Sequence, residues 1–208
     1  MSRVVLASAS PRRRELLAAL VADFAVAPAD IDETVDGDPV EAAGKLALAK
    51  ARAVLSRDDA AVVIGSDTIV ADRERMYAKP TGPGDAADMW RALRGRPHLV
   101  ATGVAVCVGG WPPLVDVSES VVTLTDLGDD AIAAYVASGR PLDKAGGYAI
   151  QDEDVPTVAS LDGCYCGVMG LPLWTLRTLL EEFGVATRAP HETFARCETC
   201  PERTGAVE

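Results

Sequence analysis

A stretch near the N-terminus combines hydroxyl and guanidinium side chains in the order Ser-Ala-Ser-Pro-Arg-Arg-Arg, residues 8–14. An apolar strand, residues 3–8, leads into it, and Ser10 with Pro11 is typical of a helix start. A helix start presents unpaired backbone N–H groups and the positive end of the helix dipole, which together bind phosphate. Arginine matches phosphate oxygens with a planar fork of donors. We therefore predict a phosphate-binding segment here; a solvated basic turn is the plainer alternative.

Lys50 occupies an unusual position in a helix predicted to begin at Pro39 and end near residue 57. Helical spacing places it in the middle of an apolar face. The other residues of this face are Ala43, Leu46, Ala47, Ala53 and Val54. A lysine in such a place needs a negative partner or must extend along the helix edge to water. Both interpretations stay open, and a triphosphate at the edge of the sheet would be a suitable partner.

Asp67 follows a wholly apolar run, residues 61–64, after a Gly-Ser pair. Open α/β sheets bind their ligands beyond the carboxyl ends of the strands. A carboxylate there, beside a phosphate site, can bind Mg²⁺ or accept a proton from water, although a turn aspartate gives the same pattern. Lys79 and Lys144 add cations next to proline and glycine residues, and neither pattern is specific alone.

Several other sites are excluded or incomplete. The sequence contains neither a G-x-x-x-x-G-K-[ST] phosphate loop nor a G-x-G-x-x-G dinucleotide fingerprint. His98 and His191 are the only histidines, and His98, at the start of a strand pattern, is predicted to be structural. Cys197 and Cys200 form half of a zinc site, to which His191 can add at most a third ligand, whereas structural zinc needs four.

Composition restricts the class of protein further. A chain of 208 residues with 49% hydrophobic and 25% charged residues fits one large domain or two lobes around one cleft. Its net charge of −11 argues against non-specific binding to nucleic acid or to an anionic membrane. We expect a cytoplasmic protein, because no apolar run suits a membrane span or a signal peptide and the five cysteines show no disulfide spacing.

The elements that must position these residues are mixed strands and helices, which predicts an α/β protein with a mixed sheet. After the strand containing Asp67 we expect a helix capped by Asp85, a pair of long strands, and a further helix from residue 129. Short strands over residues 148–151, 157–161 and 164–169 and a helix over residues 172–183 complete the prediction. From Val185 the periodicity ends, so we predict a domain over residues 1–184 and a flexible tail over residues 185–208.

Taken in order, these residues resemble the Maf family of nucleotide pyrophosphatases. The resemblance runs from Val4 to about Phe183. The motifs, as they stand here, are Ser8-Ala9-Ser10-Pro11-Arg12-Arg13, Lys50-Ala51, Gly65-Ser66-Asp67-Thr68, Lys79-Pro80, His98 with Thr102-Gly103, Pro141-Leu142-Asp143-Lys144-Ala145-Gly146-Gly147-Tyr148-Ala149-Ile150-Gln151, and Gly170-Leu171-Pro172.

The resemblance implies the elongated α/β fold shared with inosine triphosphate pyrophosphatases, with two lobes around a cleft and a homodimer. It also implies hydrolysis of a nucleoside triphosphate to the monophosphate and pyrophosphate with Mg²⁺ or Mn²⁺. The intact Ile150-Gln151 favours the branch that prefers dTTP and UTP over the branch that prefers 7-methyl-GTP. After Gln151, however, this chain carries acidic residues 152–154 where the family often has small ones, which leaves the base preference open.

Roles carried over by motif complete the expectation. Asp67 is the proton acceptor, Lys50 and Lys79 are cations of the catalytic site, and Glu33 joins Asp67 at the metal. The substrate-binding residues are expected to be Ser8, Arg12, Arg13, Thr68, Lys144 and Gln151.

Three alternatives remain open from the sequence. The first is the same chemistry on another base such as 7-methyl-GTP. The second is a nucleotide-binding regulator of cell division without turnover, although a pure binder needs the cations and not the base Asp67. The third is an interaction protein whose cysteine-containing tail recruits a partner.

Overall fold

The computed structural model describes residues 3–57, 61–152 and 154–203. Parts of three sequence-based predictions therefore lie outside the described residues: the start of the domain (Met1 and Ser2), the acidic stretch at Glu153, and the end of the tail (residues 204–208).

Seven strands form one sheet. They are β1 (Arg3–Leu6), β2 (Ala25–Val26), β3 (Ala61–Ala71), β4 (Met76–Tyr77), β5 (Pro97–Val108), β6 (Leu114–Leu124) and β7 (Val158–Asp162). The strand order is β2-β1-β3-β5-β6-β7, and β4 pairs with β3. β1 runs parallel to β2 and β3, whereas β4 is antiparallel to β3 and β7 to β6. Helices accompany the sheet, so the predicted α/β class with a mixed sheet and flanking helices is confirmed.

The helices alternate with these strands along the chain. They are α1 (Pro11–Leu20), α2 (Pro39–Leu55), α3 (Pro83–Leu93), α4 (Asp129–Ala137), α5 (Tyr165–Met169), α6 (Leu173–Glu182) and α7 (Pro190–Thr193). Three 3-10 turns add Arg140–Asp143, Ala145–Gly147 and Ala195–Cys197. None of the helices in the described residues combines the length and apolar character that crossing a membrane requires.

The chain divides into two compact units. Unit 1 contains residues 1–68, 101–119 and 163–208, and unit 2 contains residues 69–100 and 120–162. The long strands β3, β5 and β6 each contribute residues to both units.

Two glycines let α2 pack very closely on the strands of unit 1. A Cβ atom on Gly65 of β3 would lie 2.1 Å from the carbonyl oxygen of Ala47, and one on Gly103 of β5 would lie 2.2 Å from that of Ala43. The facing residues of α2 are themselves small, and Ala43, Ala47 and Ala51 are fully buried. This close approach determines where Lys50, on the same helix, meets the sheet.

Three local predictions were wrong. Residues 164–169 form not a strand but the one-turn helix α5, because the Cys164 thiol caps it by accepting from the Gly167 N–H at 3.2 Å and Gly170 ends it at φ 117°. Residues 148–151 form no strand, since the left-handed Gly146 and Gly147 turn the chain before them. Helix α3 is capped by Gly82 and not by Asp85, whose carboxylate instead accepts from the Thr81 N–H at 2.9 Å.

The segment for which the sequence predicts a flexible tail contains α7 and a 3-10 turn, both within unit 1. The Arg188 N–H donates to the Leu20 carbonyl at 2.9 Å, and the Trp174 indole N–H donates to the Cys197 carbonyl at 2.8 Å. The first is a backbone hydrogen bond and the second is donated by a side chain, and each joins segments that are separated in sequence. They leave no periodic pattern from which they could be predicted.

Because the carbonyl of Ala47 belongs to a rigid helix, we expect Gly65→Ala to destabilise the protein by about 1–3 kcal/mol or more. Gly84→Ala is the matched control, since a Cβ there meets nothing within 4 Å and alanine favours a helix. Urea unfolding of both variants measures the difference. Equal midpoints for Gly65→Ala and the wild type would contradict the close packing of α2 on β3.

Candidate active site

The start of α1 has the geometry of an anion-binding segment. The Ser10 hydroxyl caps the helix by accepting from the Arg13 N–H at 3.4 Å, and Pro11 occupies the first turn. The buried Ser8 hydroxyl accepts from the Ser10 N–H at 3.2 Å, which fixes the loop between β1 and α1. The helix therefore begins at the residue that the sequence predicts, with Arg12 and Arg13 in its first turn.

Arg13 connects three separate segments of unit 1. Its Nε donates to the Gly170 carbonyl at 2.9 Å, and its two terminal nitrogens donate to Ser8 Oγ at 3.4 Å and Thr68 Oγ1 at 3.1 Å. Burial lowers the pKa of Arg13, an effect that the charge of Asp67 opposes. Arg13 is thus a half-buried cation whose planar fork holds β3, the start of α1 and the end of α5 together.

Lys50 pairs with both of the carboxylates that the sequence predicts at the metal. Its Nζ lies 2.5 Å from Asp67 Oδ1 and 2.7 Å from Glu33 Oε1. The side chain of Lys50 is 7% exposed and that of Asp67 11%, whereas Glu33 is half exposed. The partner that the apolar helix face requires for Lys50 is therefore Asp67, together with Glu33.

Further polar groups around Thr68 were not assigned a role from the sequence. The fully buried Thr102 hydroxyl of β5 lies 3.1 Å from Thr68 Oγ1 and 2.8 Å from the Gly167 carbonyl. The buried Ser66 hydroxyl donates to the Gly170 carbonyl at 2.9 Å. A polar residue within an otherwise apolar strand was the signal that could have identified Thr102, because buried hydroxyls need partners.

The remaining predicted site residues belong to unit 2. Lys79 is exposed, and Gln151 is half-buried in a turn. The Lys144 ammonium donates to the Arg140 carbonyl and to the Asp143 carboxylate, each at 2.5 Å. Lys144 therefore contacts its own turn in this structure.

Two of the acidic residues after Gln151, Asp152 and Asp154, have partners of their own. The Tyr135 hydroxyl donates to the Asp152 carboxylate, and Arg140 pairs with Asp154 at 3.2 Å. Burial, followed by the hydrogen bond to Asp152, raises the pKa of Tyr135. These contacts hold the segment beside Gln151 in a defined conformation.

His98 has the surroundings of a structural residue. It is buried, its Nε2 lies 2.8 Å from the Tyr148 hydroxyl, and burial lowers its pKa to about 4. At neutral pH the ring is therefore uncharged. Both residues lie within unit 2 and agree with the structural role that the sequence predicts for His98.

Within unit 1, contacts connect six of the predicted residues. Lys50 joins Asp67 and Glu33, while Arg13 joins Ser8 and Thr68, and Asp67 precedes Thr68 in β3. The arrangement combines the Asp67 carboxylate with the buried Lys50 and with Arg13 at the start of α1. Chemically, it can hold phosphate groups and offer an oxygen base next to them.

Lys50→Met should destabilise the protein by about 3–5 kcal/mol, because the change leaves the Asp67 carboxylate buried without its cation. Adding Asp67→Asn should recover part of the loss, since the amide needs no counter-charge. Lys45→Met on the same helix is the control, because its pair with Glu41 is exposed and contributes little. Urea unfolding of the double-mutant cycle measures the coupling, and additive effects would contradict the buried pair.

Comparison with known proteins identifies the family to which the chain belongs. The model of the Maf-like proteins matches residues 3–183. The chain is 48% identical to the dTTP/UTP pyrophosphatase of Moorella thermoacetica, over 89% of this chain and 97% of that protein. It is 43% identical to the dTTP/UTP pyrophosphatase of Thermomicrobium roseum, over 95% and 93% of the two chains. Among solved structures it is similar to the Staphylococcus aureus Ham1 protein, with a TM-score of 0.45 and 14% identity over 60% of this chain and 72% of that one.

The matched region contains every motif on which the sequence-based resemblance was founded, from Ser8 to Pro172, and that prediction is confirmed. With the family model spanning most of its length and relatives more than 40% identical, the chain belongs to the Maf family.

Proposed function

We propose that this chain is a nucleoside triphosphate pyrophosphatase that hydrolyses dTTP and UTP to the monophosphate and pyrophosphate. The observation that carries the proposal is the buried Asp67, held by Lys50 and next in sequence to the Thr68 that Arg13 contacts. The names of the similar proteins, dTTP/UTP pyrophosphatase, support the same substrates and not the 7-methyl-GTP alternative.

The triphosphate is bound by the start of α1. The positive end of the helix dipole attracts phosphate oxygens, and Arg12 adds a cation in the first turn. Arg13 has five N–H donors, of which three make the contacts to Gly170, Ser8 and Thr68. The other two can donate to phosphate, so Arg13 both binds substrate and keeps Thr68 in position.

Asp67 is the proton acceptor. Its Oδ1 accepts from Lys50, which fixes the orientation of the carboxylate and keeps a positive charge beside it. The second oxygen can then accept the proton of the attacking water at the α-phosphate. Lys50 adds charge that stabilises the transition state, an electrostatic contribution that in other enzymes amounts to about 3–4 kcal/mol per donor.

A divalent cation fits the oxygen donors of this site. Magnesium sites in proteins commonly use one or two carboxylates together with substrate phosphates, and Asp67 and Glu33 provide two carboxylates that share Lys50. When bound, Mg²⁺ or Mn²⁺ supplies Lewis-acid neutralisation of the phosphate charge. Lys50 keeps the two carboxylates together before the substrate arrives.

The residues of unit 2 complete the proposed substrate contacts. Lys79 is exposed and can approach phosphate, and Lys144 can exchange its contact with Asp143 for a phosphate oxygen. Gln151 presents an amide donor and acceptor that match the N3–H and O4 edge shared by uracil and thymine. The contact of Tyr135 with Asp152 helps to hold the chain beside Gln151.

Assembly and location are proposed on the family alone. We propose that the enzyme is a homodimer acting on free nucleotides in the cytoplasm, with no nucleic acid or membrane partner. The formal charge of −11 supports only the absence of a nucleic acid or membrane partner, because it disfavours binding to polyanions.

A panel of nucleoside triphosphates tests the function. With Mg²⁺ or Mn²⁺, UTP and dTTP should be cleaved well and CTP poorly, because the amino group of cytosine reverses the hydrogen-bonding pattern that Gln151 reads. Chromatography should detect the monophosphate and pyrophosphate as the first products. Release of orthophosphate with a diphosphate would refute the pyrophosphatase assignment, and a preference for CTP or a purine would refute the base assignment.

Asp67→Asn should abolish turnover while nucleotide binding persists, because the amide keeps the size of the side chain and cannot accept the proton. Asp88→Asn, which removes the same charge from the exposed face of α3, should leave kcat unchanged. Steady-state kinetics and equilibrium nucleotide binding provide the two readouts. A tenfold loss of kcat corresponds to an increase of about 1.4 kcal/mol in the activation barrier. If Asp67→Asn keeps more than a tenth of the wild-type kcat, another residue is the base.

A further inference from the structure

Four cysteines of unit 1 lie together, and the proposed function uses none of them. Cys164 and Cys166 lie at the start of α5, while Cys197 and Cys200 lie in and after the last 3-10 turn. All four are buried, with between 1% and 8% of their surface exposed. Two pairs that are 31 residues or more apart in sequence therefore meet inside unit 1.

Their sulfur atoms form two close pairs that must approach one another to bind one metal, because among the described residues no three of the four sulfurs all lie within 4.8 Å of one another. Cys166 Sγ lies 3.2 Å from Cys197 Sγ, and the thiols of Cys164 and Cys200 are hydrogen-bonded to each other. Cys164 Sγ, Cys200 Sγ and a carboxylate oxygen of Glu202 all lie within 4.8 Å of one another. In a tetrahedral zinc site the Zn–S bonds of about 2.3 Å place neighbouring sulfurs about 3.8 Å apart.

Cysteine is a preferred ligand of structural zinc, and a bound divalent metal deprotonates the thiols that bind it. The two buried pairs therefore offer the ligand type of such a site.

We propose that Cys164, Cys166, Cys197 and Cys200 bind one zinc ion in a closed, structural site. Four protein ligands leave no position for water, which distinguishes such a site from a catalytic one. The Gly167 N–H donates to Cys164 Sγ at 3.2 Å, a contact of the kind that orients a metal ligand. This site is separate from Asp67 and does not depend on the proposed hydrolysis.

Glu202 is a neighbour of the zinc and not a ligand. One of its oxygens accepts from the Ser118 hydroxyl, and the other accepts from Thr175 Oγ1 at 2.7 Å. His191, which the sequence offers as a third ligand, stacks on the Trp174 ring with 5.7 Å between ring centroids.

The site would connect the C-terminal segment to the support of the active site. Helix α5 carries two of the ligands, and the carbonyl of Gly167 within it contacts Thr102. The Gly170 carbonyl that ends the helix accepts from both Arg13 and Ser66. Zinc bound by the four cysteines therefore fixes the segment against which Arg13 is held.

The full-length wild-type chain is the first sample, purified under reducing conditions and assayed for bound metal by elemental analysis. We expect one zinc per chain. After exchange with Co²⁺, the absorption spectrum should show thiolate-to-cobalt charge transfer and the intense visible bands of tetrahedral cobalt. A wild-type chain that binds neither Zn²⁺ nor Co²⁺, or that contains iron in place of zinc, overturns the proposal.

Variants identify the ligands. Cys166→Ser and Cys197→Ser should each weaken Zn²⁺ binding by at least about tenfold, the loss seen when even an outer-shell partner is removed. Cys107→Ser is the matched control, because this buried thiol packs in the separate apolar cluster formed by β1, α2, β3 and β5. It should keep the metal and the cobalt spectrum.

Two further measurements test the alternatives to a four-cysteine zinc site, which are a site that includes Glu202 and a pair of disulfide bonds. Glu202→Gln should retain the four-thiolate cobalt spectrum. If Glu202→Gln loses the cobalt spectrum while Cys166→Ser and Cys197→Ser keep it, the ligands are Cys164, Cys200 and Glu202 instead. Mass spectrometry of the unreduced wild type should detect no disulfide, and a Cys166–Cys197 or Cys164–Cys200 bond in metal-free protein would overturn the zinc site. Both readouts are independent of nucleotide hydrolysis.

Discussion

The buried ion pair between Lys50 and Asp67 is the interaction on which the active site depends. Transferring an ammonium and a carboxylate out of water costs several kcal/mol per ion, and only close contact offsets this cost. That contact needs α2 to lie almost against β3, and Gly65 permits it because any Cβ there would overlap the Ala47 carbonyl. The small residues of α2 and β3 are thus part of the catalytic geometry, although they touch no substrate.

Arg13 provides the second constraint, and it acts through geometry as well as charge. Burial disfavours its charged form, while the negative charge of Asp67 favours that form. Lysine could supply the charge but not the three directed donors that reach Gly170, Ser8 and Thr68. The site is consequently organised before substrate binds, as an enzyme that stabilises a highly charged transition state requires.

The sequence predicted the parts of this site that obey local rules. Ser10 and Pro11 identify the helix start, and helical periodicity singles out Lys50 as a charge on an apolar face. Asp67 was expected at a strand end, whereas β3 continues to Ala71 and Asp67 is buried within it. Periodicity could not reveal the partner of Lys50, because Glu33 lies in an irregular segment and only the packing of α2 brings it near.

The errors have one physical cause, which is that tertiary contacts override local pattern. The alternating residues 164–169 favour a strand, but the Cys164 cap and the left-handed Gly170 make them a helix. Half of a zinc site was visible from the C-x-x-C spacing of Cys197 and Cys200. The other half could be recognised only once the fold had brought the last 3-10 turn against the start of α5.

Residues 167–170 contact both the cysteine cluster and the polar groups around Thr68 in unit 1. The Gly167 N–H donates to the Cys164 sulfur while its carbonyl accepts from Thr102, so one peptide segment faces the cysteines and the Thr68 network at once. Three residues later the Gly170 carbonyl receives Arg13 and Ser66. A side chain on Gly167 would approach the Ser118 hydroxyl to 2.7 Å, and one on Gly170 would crowd Arg13 and require a strained backbone at φ 117°. These glycines are therefore needed for contact and conformation together, and they join the C-terminal segment to the arginine that organises the proposed phosphate site.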